Sequence, residues 1–294
     1  MKVFVNGGLG NQLFQFSFAH MKGNNISVFL DAEPRLDRPF ELDGLIANCD
    51  HTKVCVTIPA FNFKWKLRLA RLIRLSKSEK LIKFSAKLIK ICIEPIPYTA
   101  FSKNSLNENV MYAGYFQHWK NVESSWINFE VELMNHLEQV FLPEDIDFKL
   151  KDSVVIHIRQ GDLVNVKESM GILSSDYYSK ALQEISHINP RVIDQLIILS
   201  DDVARVEEII KESGLKPRLI LSSSDLNAWQ TLKIMSQSNF LIAANSTLSW
   251  WGGFLSSKKG GLCVLPKPWF KNWHEEVGEA FYFPKALQIE SSFL

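Results

Sequence analysis

Residues 154–164 read VVIHIRQGDLV. The first five are apolar and mostly β-branched, the composition of a strand buried on both faces of a parallel sheet. His157 and Arg159 share side-chain parity along that strand, and Gly161 breaks it, so that Asp162 falls on the loop at its carboxyl end. In open α/β sheets, ligands bind at that edge. His157 by itself reads as a core histidine, and Arg159 by itself as a member of a structural ion pair. Together they say more, because a charge inside an apolar strand costs free energy unless a partner or a ligand compensates it.

Downstream, the pattern alternates. Helices are expected at 176–186, 203–213, 229–236 and 248–255, and strands at 196–199, 219–221, 240–243 and 263–265. Upstream, residues 2–5 read as a strand, 7–11 as a tight turn, 12–21 as a helix and 26–30 as a second strand, which is a βαβ opening. No internal repeat or low-complexity tract is present. The expected fold class is α/β with two doubly wound domains, 1–150 and 151–294, divided where Pro143 and alternating charges precede a new strand.

The chain of 294 residues, 46% hydrophobic and 12% aromatic, is long enough to bury two cores. Lys and Arg number 33 against 32 Asp and Glu, so no global field draws the protein to nucleic acid, and no nucleic-acid partner is expected. Cys49, Cys55, Cys92 and Cys263 show neither metal-site nor disulfide-framework spacing, which fits reduced thiols in a cytoplasm. The apolar run after Lys2 is too short for a signal peptide, and residues 240–255 are too interrupted by Asn245, Ser246, Thr247 and Ser249 to span a bilayer. One local charge run stands out. Residues 62–93 carry Lys64, Lys66, Arg68, Arg71, Arg74, Lys77, Lys80, Lys83, Lys87 and Lys90 against Glu79 alone, with leucines and isoleucines between them. That pattern suits amphipathic helices, either as a solvated face or as peripheral contact with an anionic membrane.

Three further stretches are candidates. VNGGLGNQLF, residues 5–14, sets glycines before a helix N-terminus, where an anion or sugar hydroxyl is favoured. Read as a dinucleotide fingerprint it has Gly8 and Gly10 but Leu13 in place of the third glycine, with Asp31 near the ribose position; this supports an alternative reading as an NAD-dependent oxidoreductase. FLIAANSTLSWWGGFLS, residues 240–256, ends a strand at Asn245, Ser246 and Thr247, either as an ordinary helix cap or as a ligand site, with Trp250 and Trp251 expected to wall a pocket. LSDD, residues 199–202, places Asp201 and Asp202 after a strand, as caps or site-shaping groups.

GGLGNQ, HIRQGD, LSDD and ANSTLSWWGG resemble, in order and spacing, the α-1,2-fucosyltransferases of glycosyltransferase family 11, along nearly the whole chain. The resemblance implies a GT-B fold, with two Rossmann-like domains facing a central cleft, the N-terminal one toward the acceptor and the C-terminal one holding GDP-fucose. It implies inverting transfer to the 2-hydroxyl of a galactoside or lipid-linked oligosaccharide, with no cofactor and no metal required. Carried over by position, His157 contacts the nucleotide, Arg159 the diphosphate, and Asp162 orders the loop; these three form the catalytic set. Gly10, Asn11, Asp201, Thr231, Asn245, Ser246 and Thr247 join His157 and Arg159 in donor binding. Two positions depart from the family pattern. Gln160 stands where a second Arg is usual, and Thr231, beside Gln230, stands where an acid is usual. Eukaryotic relatives carry a membrane anchor that is not seen here, so the resemblance is to a bacterial, O-antigen type of enzyme acting at the cytoplasmic face. The proton acceptor is left open among Asp162, Glu168, another acid and the donor phosphate.

Overall fold

The computed structural model describes residues 1–22, 25–30, 39–49, 53–57, 62–75, 87–95, 98–143, 146, 150, 153–190, 195–273 and 275–294. The chain divides into two compact units, Met1–Gln139 and Val140–Leu294. The boundary expected at 150/151 is flanked by residues outside the described set.

In the first unit β1 (Lys2–Val5), β2 (Asn25–Leu30), β3 (Lys53–Thr57), β4 (Ile91–Ile93) and β5 (Met111–Ala113) form a parallel sheet in the order β3-β2-β1-β5-β4. The first helix, Leu9–Ala19, is buried on nearly every side by Leu13, Phe14, Phe16 and Phe18. It starts earlier than its apolar pattern suggests, because the amides of Asn11 and Gln12 already donate to the Gly8 carbonyl. Polar contacts tie this segment to the helix Trp119–Gln139: Ser17 Oγ lies 2.6 Å from Ser125 Oγ, and His20 Nε2 lies 2.9 Å from Glu132 Oε2.

The basic stretch is only partly helical. Helix Asn62–Leu75 is described, and residues 76–86 lie outside the described set. The stretch ends in β4, where Ile91 and Ile93 are buried beside β5. A three-residue strand is too short to show a periodicity, so the helix-rich reading ran through it.

The second unit holds β6 (Val154–Ile158), β7 (Leu196–Ser200), β8 (Leu219–Ser222), β9 (Phe240–Ile242), β10 (Leu262–Lys267) and β11 (Leu287–Glu290), all parallel, in the order β11-β10-β9-β6-β7-β8. From β6 the chain builds outward to β8, returns, and builds the other side from β9. This is the strand order of the Rossmann fold, with its topological switch between β6 and β9. Each unit taken by itself is therefore the doubly wound α/β domain expected of a GT-B enzyme.

Val154, Ile156 and Ile158 share one core layer with Ile198, Ile242, Val264 and with Tyr177 and Tyr178 of the helix Ser175–Ile188. On the other face lies the helix Thr247–Lys258, packed so closely that a Cβ on Gly253 would stand 2.1 Å from Cys263 Sγ, and one on Gly252 2.5 Å from Met235 Cβ. The tryptophans before these glycines are corrected from pocket wall to core. Trp250 and Trp251 are both 0% exposed, and Trp250 Nε1 donates to the Phe281 carbonyl at 2.7 Å. The paired glycines serve close helix packing, which draws the rings inward.

Candidate active site

The switch point brings together the ends of two strands that are far apart in sequence. Ile156 of β6 lies beside Ile242 of β9, so residues 159–161 and 243–247 leave the sheet at neighbouring places on its carboxyl edge. Asp201, just past β7 on the other side of β6, completes the group. Its carboxylate does two things. Oδ2 lies 2.6 Å from Arg159 Nη1, and Oδ1 accepts the Gln160 amide at 2.9 Å. A Cβ on Gly161 would stand 2.0 Å from Asp201 Oδ2, so only glycine admits the carboxylate here. Asp202 has the other role, accepting the Arg205 amide at 3.1 Å as cap of the helix Val203–Ser213. With its side chain 24% exposed, Arg159 is oriented by Asp201 while part of its surface stays accessible.

His157 is held from the opposite layer. Its Nδ1 is hydrogen-bonded to Ser249 Oγ, and the same hydroxyl accepts the Ala244 amide at 3.2 Å. Ser249 Oγ has a second lone pair as well as its proton, so it pairs with Nδ1 in either tautomer of the neutral ring and fixes the ring's orientation. Burial, and secondarily the Arg159 cation, lower its pKa to about 3. Near neutrality His157 is therefore a neutral ring held in place and not a proton carrier.

Asn245 is 2% exposed. Its Nδ2 donates to the carbonyls of Met170 and Gly171, both at 3.1 Å, which moors the loop after β6 to the end of β9. Its Oδ1 and the Gln160 Oε1 are buried without a hydrogen-bond partner among the described residues. Ser246 caps the helix Thr247–Lys258 without a side-chain bond, and no acid lies in the first turn. The leading N–H groups of that helix, at Thr247 and the residues after it, have no intrahelical acceptor and carry the positive end of its dipole. An anion is the natural complement.

The other expected residues lie on three further turns. Asp162 lies in a short 3₁₀ turn, Gly161–Val166, and its side chain is outside the described set. Thr231 sits in the first turn of the helix Ala228–Gln237, its hydroxyl turned back to the Asn227 carbonyl at 3.0 Å. Gly10 and Asn11 belong to the first unit. Asn11 Oδ1 accepts Gln117 Nε2 at 2.7 Å, and Gly10 is buried in the first helical turn. The anion position of that turn is already filled from within the protein, since the Leu9 amide donates to Glu41 Oε1 at 3.0 Å. Asp31 is outside the described residues. Sequence reasoning missed Ser249, Glu41 and Gln117; the only available hint was that Ser249 lies on the first turn after Asn245-Ser246-Thr247.

The model of Glycosyl transferase family 11 matches residues 73–288, which takes in every residue of the switch-point group. The chain belongs to glycosyl transferase family 11. Membership makes it a glycosyltransferase and removes the oxidoreductase alternative. Across 293 residues this family 11 chain is 26% identical to an "Alpha-1,2-colitosyltransferase" of Escherichia coli, covering 90% of each. Across 295 residues it is 24% identical to the Escherichia coli "O-antigen biosynthesis glycosyltransferase WbnK", covering 90% of this chain and 93% of that one. A glycosyl transferase of family 9 from Veillonella parvula superposes with a TM-score of 0.46 at 11% identity, over 98% of this chain and 84% of that one.

Proposed function

We propose that this family 11 enzyme is an inverting α-1,2-fucosyltransferase, moving L-fucose from GDP-fucose to the 2-hydroxyl of a galactoside or lipid-linked oligosaccharide in O-antigen-type glycan synthesis at the cytoplasmic face. The observation that carries the reading is the switch-point group: Arg159 set by Asp201 beside the unopposed helix N-terminus at Ser246 and Thr247. The donor then belongs to 151–294, and 1–150 faces the acceptor. The curated relative named for an α-1,2 linkage supports the linkage, and its different sugar makes a colitosyl donor the natural competitor in any assay.

Transfer at the anomeric carbon develops positive charge on the sugar and negative charge on the departing diphosphate. The Arg159 guanidinium and the amides at Thr247 and beyond are preorganised donors for that negative charge, so Mg²⁺ is not needed to share it. His157 Nε2 and the acceptor atoms of Gln160 and Asn245 offer polar contacts for the nucleotide portion. Neither Gln160 nor Thr231 supplies the charge usual at its position, which leaves Arg159 to carry more of the phosphate stabilisation.

The test is turnover of GDP-fucose by purified protein against a panel of galactosides, with the new linkage located by NMR. An α-1,2 product from GDP-fucose is expected, with UDP-sugars poor and EDTA without effect. Equal turnover of UDP-galactose overturns the donor, and loss in EDTA restored by Mg²⁺ overturns the metal-free step.

A further inference from the structure

Helix Asn62–Leu75 is turned with large apolar side chains outward. Its sequence, NFKWKLRLARLIRL, contains Lys64, Lys66, Arg68, Arg71 and Arg74 and no acid. Ala70, 3% exposed, meets the sheet, packing in one cluster with Phe4, Ile89, Ile91, Met111 and Ala113. Trp65, Leu69 and Leu72 are 53%, 38% and 63% exposed. Spaced at i, i+4 and i+7 they form a single stripe, with Arg68 exposed on its flank. An ordinary surface helix turns such a stripe inward; here Trp65, Leu69 and Leu72 face outward while Ala70 packs against the sheet. A fourth outward apolar residue, Leu88 at 73% exposure, lies between the exposed Lys87 and Lys90, next to Ile89 of the same cluster.

We propose that this face seats on an anionic lipid bilayer, with Trp65, Leu69 and Leu72 in the headgroup boundary and the flanking cations over the lipid phosphates. The charge decides the occupant. A stripe awaiting an apolar protein partner needs no cations beside it, whereas here Lys66 and the exposed Arg68 border the stripe on a helix whose sequence has no acid; a helix lying in an anionic interface has an apolar side carrying Trp and Leu and a Lys/Arg-rich polar side. Long basic side chains reach up to the phosphates while their stems lie along apolar surface; Lys66 Nζ, 5.9 Å from the Trp65 ring centre, sets one such cation beside the stripe. The helix lies on the membrane and does not cross it. Its 14 residues span about 21 Å, short of the roughly 30 Å hydrocarbon core. Among the described residues no helix is long and apolar enough to span.

The inference is independent of the donor assignment, and its test requires no turnover. The intact chain is sedimented with vesicles of phosphatidylglycerol and phosphatidylethanolamine, free of any glycolipid, and with vesicles of phosphatidylcholine alone. Pelleting with the anionic vesicles at low salt and release at high salt are expected. The combined change Trp65→Ser, Leu69→Ser and Leu72→Ser lowers partitioning by about tenfold or more. Lys66→Gln with Arg68→Gln lowers it by about 25-fold, roughly fivefold for each cation. All five positions are at least partly exposed, so circular dichroism should match wild type. Quenching of tryptophan emission by brominated lipid should diminish in Trp65→Phe. Wild type that stays in the supernatant with anionic vesicles overturns the proposal. So does a triple-serine variant that pellets like wild type, or lipid-free self-association abolished by the same three serines, which would assign the stripe to a second copy of the chain.

Discussion

The turn after β1 and the turn after β9 both lead a parallel strand into a buried helix, yet their polar groups are disposed in opposite ways. After β1, Gln12 Nε2 donates to the carbonyls of Gly7 and Pro39, Gln15 clasps Asn6, Gln117 takes Asn11 Oδ1, and the Glu41 carboxylate holds the Leu9 amide. After β9, Ser246 makes no capping bond, and Asn245 Oδ1 stays unpartnered among the described residues, as does the neighbouring Gln160 Oε1. The glycine-rich turn looks more like a phosphate cradle in sequence, but it is satisfied from within. The turn without a glycine fingerprint keeps its donors and acceptors for something else. Buried polar groups without internal partners are satisfied by water or by a ligand.

The largest break in this comparison should come from Arg159→Ala, which is expected to lower kcat by about a hundredfold or more while GDP binding weakens less. Arg159→Lys should recover little, because an ammonium lacks the planar fork. Steady-state kinetics on variants with wild-type circular dichroism check both. Near-normal turnover in Arg159→Ala would place charge stabilisation elsewhere.

A smaller loss is expected when Arg159 is kept but its orienting carboxylate is disturbed. Asp201→Asn removes the ion pair, and Gly161→Ala drives a Cβ into Asp201 Oδ2. Each should reduce kcat by about tenfold, the worth of one charge-assisted hydrogen bond. If either matched Arg159→Ala in severity, Asp201 would have to touch the substrate directly.

The internally satisfied turn should respond in stability and not in turnover. Glu41→Gln weakens the hold on the Leu9 amide and should cost about 1 kcal/mol, or roughly 3 °C in Tm, with kcat/KM unchanged. Lost turnover in a folded variant would show that the first turn binds substrate after all.

The mildest effect should be the response to pH around neutrality. His157 has its pKa lowered from 6.5 to about 3, so the folded ring stays neutral where the unfolded one takes up a proton. Its contribution to stability is complete above pH 6.5 and is lost progressively as pH falls toward 3. Urea midpoints should therefore be level between pH 8 and 7 and decline below 6.5, with part of that decline absent in His157→Asn. An equal decline in both would show that the ring titrates normally.

Much of the second unit was legible because its central strands are apolar and separated by amphipathic helices. Val154–Ile158 and Leu196–Ser200 were readable from composition alone. The strands Lys53–Thr57, Ile91–Ile93 and Met111–Ala113 were not, being short or half-exposed edge elements whose order depends on partners distant in sequence. Legibility at the site divides in the same way. Arg159 was found because a charge in an apolar strand is anomalous, whereas the Ser249 hydroxyl on His157 and the Glu41 carboxylate on Leu9 are tertiary contacts with no local signature. The paired tryptophans misled because bulk beside glycine reads alike in a pocket wall and in a tightly packed helix.

Amide hydrogen exchange with and without GDP puts the two turns in direct competition. Slowed exchange is predicted in peptides covering 158–163 and 243–250, with the peptide covering 6–13 unchanged. Protection confined to 6–13, with the β6 and β9 ends exchanging as before, would contradict the placement of the nucleotide at the switch point of the second sheet.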